Sequence, residues 1–415
     1  MHEESTTAYW LWLEMVFGVA NVKLLELVRT AGSVRELYYT LHDPDCGLLS
    51  EKEHERLRRT SLEQAKAVLL SCEKNGIGIM TWEDALYPDS LRTIYNPPCV
   101  LFYRGDPTIL QQGMLLTVVG TRHPSDYSLK VANWLCGDLA RCNLVLVSGC
   151  AVGLDAAAHR AAILANTPTI GVLGCGIDVD YPRENRELKA RIVQNGLLLT
   201  EYFPGTQPKP AHFPVRNRIL AGISEAVLVL EAGARSGSLI TANLACEQGK
   251  SVFCVPPANL FESRYSGVVN FLRDGAYPVF NYLDVLYAFY LKYPHKLSLY
   301  DEEEASRTQD SLLFEKQTEK RSKPVSPRRS VVKRVQPKPQ TPPAGPQPYQ
   351  FPAEATAQQR KILEFLKSGG KTTNAICRHL GVKFEGVAVD LMDMEMAGWI
   401  ENNERDIYTL PDGTR

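Results

Sequence analysis

Asp155 and His159 stand four residues apart in a stretch of helical pattern, a spacing that puts a carboxylate and an imidazole on one helix face. Such a pair could work as acid and base. The local sequence favours a structural role. Asp155 follows Ser148-Gly149-Cys150-Ala151-Val152-Gly153 at a helix start, where a carboxylate accepts backbone N–H bonds. His159 then reads as a buried, hydrogen-bonded histidine. No serine or cysteine has a visible base and orienting partner, so a covalent mechanism, and with it an enzyme, is not expected.

The cations suggest binding instead. Arg122 opens one helix. Arg216, Asn217 and Arg218 open another, with Lys209 just upstream, and Arg235 lies in the loop Arg235-Ser236-Gly237-Ser238. Guanidinium forks match phosphate oxygens in bidentate geometry. Phe213, Tyr181 and Tyr202 stand beside them. Phosphate-gripping cations interleaved with stacking rings describe a groove for single-stranded nucleic acid. Each residue alone has a plainer reading. Arg218 with Glu225, or Arg183 with Glu187, could be surface ion pairs, and Phe213 and Tyr181 could be core.

What would bring these residues together is a sheet. From Gly78 to about Tyr287 short apolar runs alternate with amphipathic helical patterns. The runs are 115–119, 144–147, 169–173, 197–200, 226–230 and 251–255. They are continuous rather than alternating, as in strands covered on both faces, which implies a mostly parallel sheet with crossover helices. Five of them end in glycine-bearing loops: Gly120-Thr121-Arg122, Ser148 to Asp155, Gly174-Cys175-Gly176, Glu201 to Gly205, and Glu231 to Ser238. Parallel strands direct their carboxyl ends to one edge, so these loops are expected to gather there and to meet an anion with backbone N–H groups and helix N-termini. The expected phosphate-binding set is Gly120, Thr121, Arg122, Ser148, Gly149, Gly153, Lys209, Phe213, Arg216, Asn217, Arg218, Arg235, Ser236, Gly237 and Ser238. No P-loop is present, and Gly174-x-Gly176 lacks the third glycine of a dinucleotide fingerprint. No cofactor is expected.

Around this core, residues 1–77 read as a helical domain, with Gly18 and Gly32 as punctuation; a helix-hairpin-helix type of unit and a packing module without ligand remain equally open. Residues 300–352 run from Asp301-Glu302-Glu303-Glu304 into a basic, proline-rich stretch that cannot bury enough apolar surface to fold alone, so a disordered linker is expected. Residues 353–415 show three helical patterns and a strand pair at Trp399-Ile400 and Ile407-Tyr408, which is winged helix-turn-helix order. Its third helix carries Glu385, Asp390, Asp393 and Glu395, a face that phosphate would repel. Protein contacts are expected of it rather than groove insertion.

Bulk properties set limits. The 415 residues suffice for two or three domains, and the net charge of −1 requires any basic surface to be local. No run approaches membrane-span length, and Met1-His2-Glu3-Glu4 is unlike a signal peptide, so a cytoplasmic protein is expected. The ten cysteines have no zinc spacing and read as reduced, mostly buried residues. No metal site is expected.

With these motifs in order, the chain resembles the DNA-processing protein A family (DprA, also called Smf). The matching stretches are Val119-Gly120-Thr121-Arg122, Ser148-Gly149-x-Ala151-x-Gly153-x-Asp155 with His159, and Leu173-Gly174-x-Gly176-x-Asp178 with Tyr181-Pro182. Glu201-Tyr202-x-Pro204-Gly205, Phe213-Pro214-x-Arg216-Asn217-Arg218-Ile219 and Gly237-Ser238-Leu239-Ile240-Thr241-Ala242 complete them. The resemblance implies an α/β fold: an extended Rossmann core, a helical N-terminal domain and a winged-helix tail. It also implies a homodimer that binds and protects single-stranded DNA and loads the RecA recombinase in natural transformation. In that family the loop at Gly120, Thr121 and Arg122 and the region of Phe213, Arg216 and Arg218 would line the DNA pocket. The chain departs from the pattern at Pro256-Pro257, where the family carries Pro-Gly, so Ser263 to Asn270 is expected to run differently.

Two other functions compete. A phosphoribohydrolase-like enzyme shares such glycine loops, but Thr241 stands where its catalytic glutamate would be. A transcription regulator would act on duplex DNA through the tail.

Overall fold

The computed structural model describes residues 5–43, 46–290, 355–382, 385–402 and 407–411. The stretch expected to be a linker, 300–352, lies outside them. Two compact units result, 1–300 and 301–415.

The first unit opens with five helices: α1 (Thr6–Phe17), α2 (Leu24–Ala31), α3 (Val34–Leu41), α4 (Glu51–Arg59) and α5 (Leu62–Lys74). Local chemistry sets their ends. Gly18 (φ 85°) and Gly32 (φ 94°) follow α1 and α2, while Ser50 with Glu53 and Ser61 with Gln64 form capping boxes on α4 and α5. α1 is mostly apolar and mostly buried, Tyr9 to Leu13 and the carboxyl-bearing Glu14 included. Its cluster includes Val100, Phe102, Ile192 and Leu198 of the following segment, so the helices pack directly on the sheet.

The sheet has nine strands: β1 (Gly78–Thr81), β2 (Val100–Gly105), β3 (Met114–Val119), β4 (Leu144–Ser148), β5 (Thr169–Val172), β6 (Leu197–Thr200), β7 (Ala226–Val229), β8 (Ser251–Cys254) and β9 (Tyr277–Pro278). The connecting helices are α6 (Asp89–Arg92), α7 (Ile109–Gln112), α8 (Asp126–Arg141), α9 (Leu154–Leu164), α10 (Arg186–Asn195), α11 (His212–Ile223), α12 (Ser238–Glu247), α13 (Ser266–Arg273) and α14 (Tyr282–Tyr290). The strand order is β1-β2-β6-β5-β4-β3-β7-β8-β9. Every pairing from β6 to β9 is parallel. β1 and β2 add to the β6 edge in antiparallel fashion. The mostly parallel α/β sheet read from the sequence is therefore present, and its six runs coincide with β3 to β8. β1, β2 and β9 lie outside those runs.

Side chains alternate between two buried faces, as pleating requires. In β3 and β4, Leu116, Val118, Leu144 and Leu146 pack with α8 and α9, whereas Leu115, Val145 and Val147 pack with Ile219, Leu220 and Ile223 of α11. Burial of both faces explains why the runs carry no polar alternation. The chain progresses from β3 to β6 in one direction, then returns across β3 to lay down β7. The reversal beside β3 is a topological switch point, the side of an open α/β sheet at which ligands commonly bind. Ser263 to Asn270 forms a 3-10 turn running into α13.

The second unit contains α15 (Ala357–Leu366), β10 (Lys371–Thr372), α16 (Thr373–Leu380), α17 (Glu385–Met396), β11 (Glu401–Asn402) and β12 (Ile407–Thr409). Its antiparallel sheet runs β10-β12-β11 around a core that includes Ile362, Leu363, Leu391 and Ile400. The strand expected at Trp399-Ile400 begins at Glu401 instead, and Ile400 is buried in that core.

Candidate nucleic-acid interface

The loops after β3, β4 and β7 close on one another at the carboxyl edge of the sheet. Thr121 N–H donates to Glu231 O at 2.9 Å, and Leu154 N–H donates to Thr121 O at 3.2 Å. Gly153 has φ +84°, and a Cβ there would lie 2.5 Å from Thr121 O and 2.7 Å from Arg122 O, so only glycine lets the β4 loop lie under the β3 loop. The glycine need here is packing between loops, not only approach to an anion.

Arg216 runs beneath these loops. Its Nη1 donates to Gly149 O at 2.9 Å and to Val172 O, and its side chain is 5 % exposed. Asp155 accepts from Gly149 N–H (3.1 Å) and Ala151 N–H (3.3 Å), the helix-start role read from the sequence. Burial raises the Asp155 pKa, and the Arg216 charge opposes that rise. His159 is wholly buried, with Nδ1 2.8 Å from Thr169 Oγ1 and Nε2 3.4 Å from Cys150 Sγ. Burial, and secondarily the Arg216 charge, push its pKa down to about 3, so it is neutral and sealed from substrate. The pair is a brace.

Phe213, in the first turn of α11, sits against Gly174, where a Cβ would be 2.9 Å from the ring. The Arg122 guanidinium lies over that ring at 5.7 Å from its centroid, the Arg216 guanidinium at 6.0 Å, and the Tyr181 ring at 5.7 Å. These groups line one small concavity of about 40 Å³ together with Gly149 and Gly174. Arg122 is exposed, and Phe213 and Tyr181 are half-buried, so cation and rings face a common space. Arg122 and Arg216, 94 positions apart, thus share a site.

Other residues singled out from the sequence lie elsewhere. Arg218 points away, 9 % exposed, and pairs with Glu201 rather than with Glu225, so its charge is neutralised inside the protein. Ser148 is buried and donates to Val118 O at 2.6 Å. Asn217, 8 % exposed, donates to Gly237 O at 3.2 Å and braces the start of α12. Tyr202 is buried with its ring stacked on His212 and is not an open platform. Each has its polar group committed to a protein partner, which removes it from the ligand surface. Lys209 and Arg235 are exposed on the same edge, and the hydroxyls of Ser236 and Ser238 meet at 2.7 Å beside the open Gly237. Gly120 is half-buried, its Cβ position 2.4 Å from Leu154.

Glu231 was not anticipated as a support. Fully buried, it accepts from Ser125 N–H (3.0 Å) and Oγ (2.6 Å), fixing the start of α8 and with it the Arg122 loop. The signal was a carboxylate closing the apolar run of β7. Thr241, at the position of a hydrolase glutamate, is 1 % exposed within α12. None of the ten cysteines is in a disulfide, and seven are buried. Among the described residues no cluster of His, Cys, Asp or Glu could hold a metal ion, and no helix is long and apolar enough to cross a membrane.

A large, mostly parallel sheet with an arginine–phenylalanine concavity at the carboxyl edge of its strands defines an α/β protein with a candidate anion-binding site. Residues 78–290 match the family model of DNA recombination-mediator protein A, and the chain belongs to that family. It is 41 % identical to the DNA processing protein DprA of Bacillus subtilis over 218 residues, 52 % of this chain and 73 % of that one. It is 42 % identical to DprA of Streptococcus pneumoniae over 206 residues, 50 % of this chain and 72 % of that one. An X-ray structure of the S. pneumoniae protein superposes with a TM-score of 0.60 at 33 % identity, covering 68 % of this chain and 97 % of that one.

Proposed function

We propose that the protein binds single-stranded DNA along the carboxyl edge of its sheet, as part of recombination mediation. The carrying observation is the stacking of Arg122 over Phe213 in one concavity, flanked by Tyr181. A ring offers a base an apolar face, and a guanidinium beside it takes the adjoining phosphate. Arg122, Phe213, Lys209, Arg235 and the Ser236–Ser238 loop form the contact set; Arg216 shapes the concavity from below. In a duplex the base faces are stacked inside and unavailable to a ring, which favours a single strand.

On this reading the chain protects the strand, acts as a homodimer and hands the strand to a RecA-type recombinase. Residues 1–77, 78–299 and 353–415 serve as helical, DNA-binding and winged-helix parts, the last making protein contacts. Gel shifts with single- and double-stranded oligonucleotides, on the full chain and on residues 1–299, test it. Retention of single-strand binding by the truncated chain is expected. Duplex binding that vanishes on truncation would instead favour a regulator acting through the tail.

A further inference from the structure

The loop after β8 leaves the sheet at the same edge as the loops of the concavity, since β8 runs parallel to β7. It carries the most exposed large apolar side chain described, Phe261 at 97 %, with Leu260 beside it at 71 %. Water disfavours both, so something must hold them out. The turn does so. Phe261 N–H donates to Asn259 Oδ1 at 3.0 Å, and Asn259 Nδ2 donates to Glu262 Oε1 at 3.3 Å. Arg264 Nε lies 3.1 Å from Glu262 Oε2, and its Nη1 lies 3.8 Å from Glu231 Oε1. The ring is thus presented from a turn fixed by its own polar neighbours.

This turn is continuous with the site. Tyr265 Oη is 2.9 Å from Ser125 Oγ in the Arg122 loop, and Ser266 Oγ accepts from Ala234 N–H at 2.9 Å in the Arg235 loop. The cations between the two aromatic positions are Arg122 and Arg235, both exposed, and Arg264, 46 % exposed. The Glu262 carboxylate is already paired with Arg264. Gly174, on which Phe213 sits, follows β5, and four strand spacings separate β5 from β8, or ~19 Å along the edge.

We infer that Phe261, supported by Leu260, is a second base-stacking position for the same single strand, which runs from Phe213 past Arg122 and Arg235 to the β8 loop. The inference rests on the single-strand reading and adds the direction and length of the track. Arginines alternating with open rings along a sheet edge fit a polyanion with π-faces, and fit an apolar protein surface poorly.

The test is fluorescence-anisotropy binding of oligothymidylates from roughly 4 to roughly 16 nucleotides, the span of known single-strand sites. The expected result is that Phe261→Ala binds the shortest strands as wild type does but loses roughly five-fold to a hundred-fold on the longer ones, with recovery in Phe261→Trp. Phe213→Ala weakens binding at every length. Equal binding of Phe261→Ala and wild type at all lengths overturns the inference while leaving the concavity in place. A change in solution mass by light scattering without a length-dependent binding loss assigns Phe261 to a contact between copies and also overturns it. Absence of binding by wild type at any length overturns the single-strand reading itself. Because Phe261 is almost fully exposed, its replacement leaves the core intact, and an unchanged Tm verifies that.

Discussion

The guanidinium of Arg122 lies 5.7 Å from the centre of the Phe213 ring, although 91 positions separate the two residues in the chain. Arg122 leaves the end of β3 and Phe213 begins α11, and both face one concavity. Their substitutions should therefore act on the same bound strand. Arg122→Ala is expected to cost about 1.5–3 kcal/mol of single-strand affinity, as for a hydrogen bond to a charged group, and Phe213→Ala about 1–3 kcal/mol, as for a lost base stack. A double-mutant cycle by anisotropy should give a loss smaller than the sum. Strict additivity would mean that the two do not serve one nucleotide.

Ionic strength reads the phosphate share directly. If each protomer neutralises about three phosphates, log affinity falls against log salt with a slope near −2, since single strands contribute about −0.7 per phosphate. Titrations across a series of salt concentrations give the slope. A flat response would exclude a grip based on Arg122, Lys209 and Arg235.

Gly174 tests whether the position of the ring matters. A Cβ there would stand 2.9 Å from Phe213 Cδ1, so Gly174→Ala must displace the ring from beneath Arg122. Weaker single-strand binding is expected with the fold retained, measured by anisotropy together with thermal melting. Unchanged affinity would show that the seat of Phe213 is immaterial.

His159 supplies an acid-side prediction. Its folded-state pKa is depressed to about 3 against an ordinary value of 6.5. Between those values the unfolded chain binds a proton that the folded chain refuses, so stability falls as pH falls through that window, by about 1.4 kcal/mol per unit at most. His159→Gln cannot titrate. Its urea midpoints should decline less steeply than those of wild type on acidification, and parallel profiles would count against the burial argument.

Arg218 supplies the opposite sign. It is paired with Glu201 beside Glu14, and burial followed by the Glu201 charge holds the Glu14 pKa well above the carboxylate range. Arg218→Ala leaves these carboxyls without their cation and is expected to destabilise by about 3–5 kcal/mol at neutral pH. Both raised pKa values mean that the folded state keeps protons the unfolded state has released. The stability deficit should shrink as pH falls toward the ordinary carboxyl range. A deficit independent of pH in denaturant melts would place the cost in packing instead.

Local pattern accounts for the parts of this protein that were legible in the chain. Continuous apolar runs at β3 to β8 follow from strands buried on both faces, and parallel pairing sends their loops to one edge. Arg122, Phe213 and the glycines of those loops were legible for that reason. Which cations remain available was decided by partners remote in sequence. Arg218 meets Glu201, Arg216 meets the carbonyls of Gly149 and Val172, and Arg122 lies exposed over the Phe213 face. All three arginines read alike in one dimension. A guanidinium becomes a ligand group only where the fold leaves its donors unspent, and that depends on topology, which strand periodicity does not encode.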